Sequence, residues 1–166
     1  FFWRHASLNR IYFKYKDMAT RRTKGNKKVR NATATEYKGL KFRSKLELFT
    51  YKKLEEAGIT ALYEKRRFEL LEGFYFPHTC VEPNTHKEYV DNTTKVRSIT
   101  YTPDFVDPQG QWIIEVKGFA NDVFPLKWKM FKQHIMQNGL EYKLFLPKNQ
   151  KQVLETVELI KELSRK

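Results

Sequence analysis

The sequence predicts a mixed α/β domain, a central sheet flanked by helices. Three observations predict it. Apolar residues switch between helical and strand spacing, in the order helix, strands, helix, strand, helix. Hydrophobic residues make up 40% of the chain, with 13 Phe, 9 Tyr and 3 Trp, which suffices for a buried core. The net charge of +13 sits at one end. Residues 1–45 hold 14 Lys/Arg against Asp17 and Glu36, or +12, and residues 46–166 hold 18 against 17, or +1. A nearly neutral globular domain therefore follows a strongly basic segment.

Residues 1–17 begin Phe1-Phe2-Trp3-Arg4 and are aromatic and basic. They lack the apolar stretch of roughly 7–15 residues that a secretory signal requires. Met18-Ala19-Thr20 reads as an ordinary start, so 1–17 is taken as an extension, upstream or processed, with no chemistry of its own. Residues 18–40 read as a basic arm. From Arg21 to Arg30 it has one apolar residue in ten, Val29. Such a segment cannot offset its ordering entropy by burial, but contact with phosphates would order it.

The folded domain is expected over 41–166. Leu46, Phe49 and Leu54 form a stripe near period 3.6 from Ser44, and Gly58 stops that helix. Ile59 to Leu71 reads as one strand region, with Tyr63, Phe68 and Leu70 as strand formers. Gly73 to Ser98 is polar and carries Pro77, Pro83-Asn84 and Asp91-Asn92, the marks of a hairpin or irregular insertion. Ile99 to Val106 is the next strand, Asp107-Pro108-Gln109-Gly110 a turn, and Gln111 to Val116 the strand after it. Phe124 to Gln137 is helical on Phe124, Trp128, Phe131 and Ile135, and Gly139 ends it. Tyr142 to Leu146 is a short strand. Gln150 to Leu163 is a last amphipathic helix on Val153, Val157, Ile160 and Leu163.

Composition also excludes. The single Cys80 provides no disulfide framework and fits a reducing compartment. No apolar run approaches the ~18–20 residues of a membrane span. His78, Cys80 and His86 match no structural zinc spacing. A basic tail calls for a polyanionic partner, and nucleic acid is the first candidate.

The informative segment is Pro103-Asp104, ten residues, then Glu115-Val116-Lys117. Two strands joined by a tight turn lie ~5 Å apart, which sets Asp104 and Glu115 opposite one another or one pair offset. Alternation sends Glu115 and Lys117 to one face, and Ile114 and Val116 to the other. Paired carboxylates repel and raise one another's pKa, and a divalent cation relieves this. Oxygen ligands suit Mg²⁺, for which Mn²⁺ is the natural substitute. Such an ion activates a bound water, and Lys117 is placed to orient it or to steady developing charge. Read alone, Asp104 would cap a turn and Glu115–Lys117 would be an exposed pair. The adjoining hydrophobic strand and Gly118 argue otherwise.

Thr100-Tyr101-Thr102-Pro103-Asp104-Phe105, followed by Trp112-Ile113-Ile114-Glu115-Val116-Lys117-Gly118, resembles the YTPDF…EVKG signature of the PD-(D/E)XK nuclease superfamily. The likeness is to small phage- and transposon-encoded members, among them junction-resolving endonucleases. Phe42-Arg43-Ser44-Lys45-Leu46-Glu47 is similar to their first-helix motif. The resemblance implies a restriction-endonuclease-like core of order αβββαβ with a final helix. It implies that Asp104, Glu115 and the Val116 carbonyl ligate metal, that Glu47 holds a metal-bound water or second ion, and that Lys117 serves the nucleophile. It also implies a Mg²⁺-dependent DNA endonuclease working in the cytoplasm of a bacterial or phage-infected cell.

Branched DNA is the favoured substrate, as for a Holliday junction resolvase, because no base-reading module is evident. Two cuts per junction predict a homodimer. A partner-directed nuclease of a transposition or restriction system, an exonuclease, and a non-catalytic binding protein on the same scaffold are the alternatives. Candidate DNA contacts are Arg21, Arg22, Lys24, Lys27, Lys28 and Arg30 in the arm, then Lys41, Arg43, Lys45, Arg97 and Lys127. Lys127 earns its place near the N-terminus of the Phe124 helix, where anions are favoured. Lys129 and Lys132 read as solvated and Trp128 as core. Glu64 is a candidate for the edge of the site.

Overall fold

The computed structural model describes residues 35–118 and 123–163, all within the compact unit Asn31–Lys166. Its first feature lies inside the segment expected to be arm. Thr35–Tyr37 (β1) and Leu40–Phe42 (β2) form an antiparallel hairpin. Lys38 and Gly39 both take positive φ, 50° and 75°, as a two-residue turn of this hand requires. The signal was the alternation of Tyr37, Leu40 and Phe42. Phe42 is fully buried, and the other two pack against the same core.

Helix α1 spans Lys45–Glu56. Ser44 caps it by accepting from the Glu47 N–H. Its end is a Schellman closure: Gly58 N–H donates to Glu55 O and Ile59 N–H to Leu54 O, with Gly58 at φ 70°. The expected strand region from Ile59 to Leu71 divides into two. Leu62–Tyr63 (β3) and Phe68–Leu71 (β4) belong to different sheets. Between them Glu64 adopts φ 48°, a left-handed turn of the chain that no extended strand can contain.

Val81–Pro83 (β5) and Tyr89–Asp91 (β6) pair as a hairpin within the 73–98 insertion, as the turn residues indicated. The strand expected from Ile99 to Val106 is also broken. Ile99–Tyr101 (β7) pairs antiparallel with β4, whereas Phe105–Val106 (β8) pairs with β3 and with Trp112–Ile114 (β9). Pro103, at the break, has no N–H to give a ladder. The two interruptions correspond: β3–β8 and β4–β7 are successive pairings of the same two stretches, parted at Glu64 and at Thr102–Asp104.

Helix α2 spans Phe124–Gln137, Lys143–Phe145 is β10 and Gln150–Leu163 is helix α3. The central sheet runs β10-β9-β8-β3 and is mixed: β10 is parallel to β9, and the other pairs are antiparallel. Its alternation sorts the core into two. Phe105, Trp112, Ile114 and Val116 meet Leu54 of α1 and Val157 and Ile160 of α3. Val106 and Ile113 meet Phe124, Phe131 and Ile135 of α2, with Phe68 and Tyr101. The protein is thus a mixed α/β domain with helices on both faces of a mixed sheet. No helix among the described residues is long and apolar enough to cross a membrane.

Candidate functional site

The β8–β9 register pairs Phe105 with Ile114, and one further step sets Asp104 opposite Glu115. Beyond β9 the ladder with the β10 side continues, since Glu115 N–H donates to Phe145 O and Lys117 N–H to Pro147 O. Glu115 and Lys117 therefore keep strand alternation and lie on the side opposite Val116. The Val116 N–H donates to Asp104 Oδ2 at 2.7 Å, which locks the two chains at this level. Lys117 Nζ stands 3.3 Å from Glu115 Oε1.

Both carboxylates are buried, Asp104 at 5% and Glu115 at 4% exposure. Among the described residues Glu115 Oε2 has no hydrogen-bond partner, and neither does the buried Tyr101 hydroxyl. Burial, then the Glu115 and Glu47 carboxylates, push the Asp104 pKa up to about 8, against the pull of the Val116 N–H and the Arg43 guanidinium. Burial and the nearby Glu115 also raise the Tyr101 phenol, although no hydrogen bond of normal geometry joins the two. The cations nearest the pair are Lys117, beside Glu115, and Arg43, beside Asp104.

Glu47 enters from the first turn of α1. Its Oε2 accepts from the Tyr63 hydroxyl at 2.7 Å and from the Arg43 N–H at 3.0 Å, and its Oε1 accepts from Ser44 Oγ at 2.8 Å. These bonds fix its rotamer beside Asp104. Burial and the Glu47 carboxylate raise the Tyr63 phenol, so it stays a donor. Arg43, expected on the DNA side, instead pairs with Glu64 and lies 3.7 Å from Asp104 Oδ1. Its side chain remains 65% exposed, so it borders the site and solvent together. The Glu64 N–H donates to Asp104 O at 2.9 Å, and its left-handed turn aims the carboxylate at Arg43.

Glu47, Asp104, Glu115 and Lys117 are thereby brought together. Among the described residues no group of three or more His, Cys, Asp or Glu is arranged to hold a metal ion. The donor set on offer is two carboxylates and the Val116 carbonyl. Lys41, Lys45 and Arg97 are exposed, and Arg97 precedes β7 rather than lying in a strand. Lys127 Nζ donates to Thr100 O at 3.3 Å, so it braces α2 against β7 instead of standing free for a phosphate. Arg21, Arg22, Lys24, Lys27, Lys28 and Arg30 lie outside the described residues, as does residues 1–17.

Sequence reasoning missed Tyr63 and Tyr101 as site residues. Lys129 and Lys132 are exposed and Trp128 packs against the core, as expected. What the sequence did not show is that all three line an open cleft beside Lys117. The available signal was their i, i+1, i+4 placement on one helix.

Comparison with curated proteins and with solved structures gives no match. A family model described as Protein of unknown function (DUF1064) matches residues 26–151, which covers both motifs and most of the folded unit, and the chain belongs to that family.

Proposed function

We propose that this protein is a metal-dependent DNA endonuclease with a restriction-endonuclease-like core. The observation that carries the reading is the buried pair Asp104 and Glu115, each one residue beyond the Phe105–Ile114 pair of β8–β9, with Lys117 Nζ 3.3 Å from Glu115 Oε1. Two buried carboxylates of like charge need a counter-charge, and a divalent cation supplies it. The residues fit such an ion: Glu115 Oε2 is buried without a partner, and Asp104 is pushed toward its neutral form by the same crowding.

Asp104, Glu115 and the Val116 carbonyl would hold the ion, with Glu47 beside them. Bound there, Mg²⁺ or Mn²⁺ would lower the pKa of a water and neutralise charge on the phosphate under attack. The chain's own groups do the rest. Lys117 orients the attacking water or the phosphate oxygen it approaches. Ser44, Tyr63 and the Arg43 N–H hold the Glu47 carboxylate in place.

Branched DNA is the favoured substrate, since a basic arm contacts backbone and nothing in the sequence reads bases. Cutting both strands of a junction calls for two copies of the chain.

The test is cleavage of labelled four-way junction, flap, single-stranded and linear duplex DNA in Mg²⁺, with EDTA as the control. Junction or flap should be cut in preference to linear duplex. Lys117→Ala should lower the rate by at least ~100-fold while DNA binding stays near the parent level. No cutting of any substrate in Mg²⁺ or Mn²⁺ defeats the nuclease reading. Full activity in Asp104→Asn defeats the site assignment.

A further inference from the structure

Lys117 also lines a cleft of about 530 Å³ between α2 and the loop from β10 to α3. Its floor is aromatic. Phe124 and Trp128 stack with centroids 5.8 Å apart and planes 24° from parallel. Its rim is cationic, with Lys117, Lys129, Lys132 and Lys148 around it and no carboxylate among the described residues of its lining. Lys117 Nζ lies 4.5 Å from the Phe124 ring centroid, and Lys132 Nζ lies 5.7 Å from that of Trp128. Lys129, Lys132 and Lys148 form no ion pair with any described residue. Residues 46–166 carry only +1 in sum, so this concentration of ammonium groups is a local departure from a neutral domain.

Lys117 already faces Glu115, but the three like charges of Lys129, Lys132 and Lys148 repel, and an anion relieves them. An aromatic floor adds a surface for the π-face of a base, which a paired base keeps hidden in its stack. Building on the nuclease reading, we infer that the cleft holds an unpaired stretch of the nucleic-acid strand that runs into the Asp104–Glu115 site. The strand's phosphates meet Lys129, Lys132 and Lys148, and a base lies against Trp128. Lys117 joins the two places, since it borders the cleft and pairs with Glu115. A junction or flap, whose bases unpair at the branch, supplies such a stretch where an intact duplex does not.

Trp128 provides a local readout. In full-length chain carrying Trp3→Phe, only Trp112 and Trp128 remain as indoles, and Trp112 is 2% exposed. Oligothymidylate titrated in EDTA should quench the Trp128 emission. Lys129→Ala/Lys132→Ala/Lys148→Ala should abolish most of the quenching and reduce the slope of log K against log salt by about 2, near 0.7 per phosphate contact on a single strand. The three positions as Gln give a second set, so a folding defect in one set does not decide the result. Unchanged quenching and slope in both sets overturn the inference. Equal or stronger quenching by an intact duplex overturns the unpaired-strand assignment. Cleavage is scored separately in Mg²⁺: cutting without the Trp128 signal sinks the cleft alone, and the signal without cutting sinks the nuclease reading alone.

Discussion

At Asp104 two demands meet. The β8–β9 junction needs its Oδ2 to accept from the Val116 N–H, while burial and the Glu115 and Glu47 carboxylates oppose its charge. The unfolded chain ionises this group near 3.8, and the fold raises it to about 8. The folded state therefore holds an extra proton between those values. Its contribution to stability is present below the lower value and is lost as pH rises through the higher one. Urea melts should show stability falling from about pH 5 to about pH 8, by at most ~1.4 kcal/mol per pH unit from this residue. Asp104→Asn should flatten that fall and exceed the parent in stability at the alkaline end. A parent profile that rises across the window would contradict the burial of two like charges. Asp104, Glu115 and Lys117 were legible because strand alternation and a four-residue turn fix their relation locally. Tyr63 and Tyr101 were not, because they reach the site from elements whose packing no short-range pattern encodes, and for the same reason the pairing of Arg43 with Glu64 was not.

Helix α1 shows how an element's own ends serve the site. Ser44 accepts from the Glu47 N–H and donates to its Oε1, so one hydroxyl both caps the helix and holds the carboxylate. Ser44→Ala should cost about 1 kcal/mol of unfolding free energy in chemical denaturation. It should also lower any cleavage rate more than Ser44→Thr does, since threonine keeps the hydroxyl. Equal stability of Ser44→Ala and parent would deny the cap. The three helices among the described residues fell where their stripes and stop residues set them, because those signals act within a few turns. The strands were misjudged wherever they changed partner. Glu64 and Pro103 divide two long stretches into β3 and β4, and β7 and β8. A run of strand formers records strand propensity but not the sheet that each part joins.

For the molecule as a whole, charge and fold divide along the chain. The basic excess lies in residues 1–45, and the carboxylate pair lies in the neutral remainder. Replacing Arg21, Arg22, Lys24, Lys27 and Lys28 with Ala should lower the salt slope of duplex binding by up to about 4.5, near 0.9 per lost phosphate contact. The melting temperature should stay nearly constant, since these positions precede the described core. An unchanged slope would remove the arm from DNA binding. By itself the sequence determined the α/β class and the three described helices, and narrowed the insertion to a hairpin or irregular segment and Asp104 and Glu115 to opposite or one pair offset. Those follow from periodicity, turn chemistry and the fixed spacing of paired strands, all of which act over short stretches of chain. Only the tertiary structure decided that Glu47 stands beside Asp104, that Arg43 pairs with Glu64 at the solvent border of the site, that Lys127 donates to Thr100 O, and that Lys129, Lys132 and Lys148 share a cleft. The sequence separates Lys132 from Lys148 by a strand and a turn, and summed charge cancels them. Their convergence depends on how α2 docks on the sheet, which is settled by packing many side chains at once.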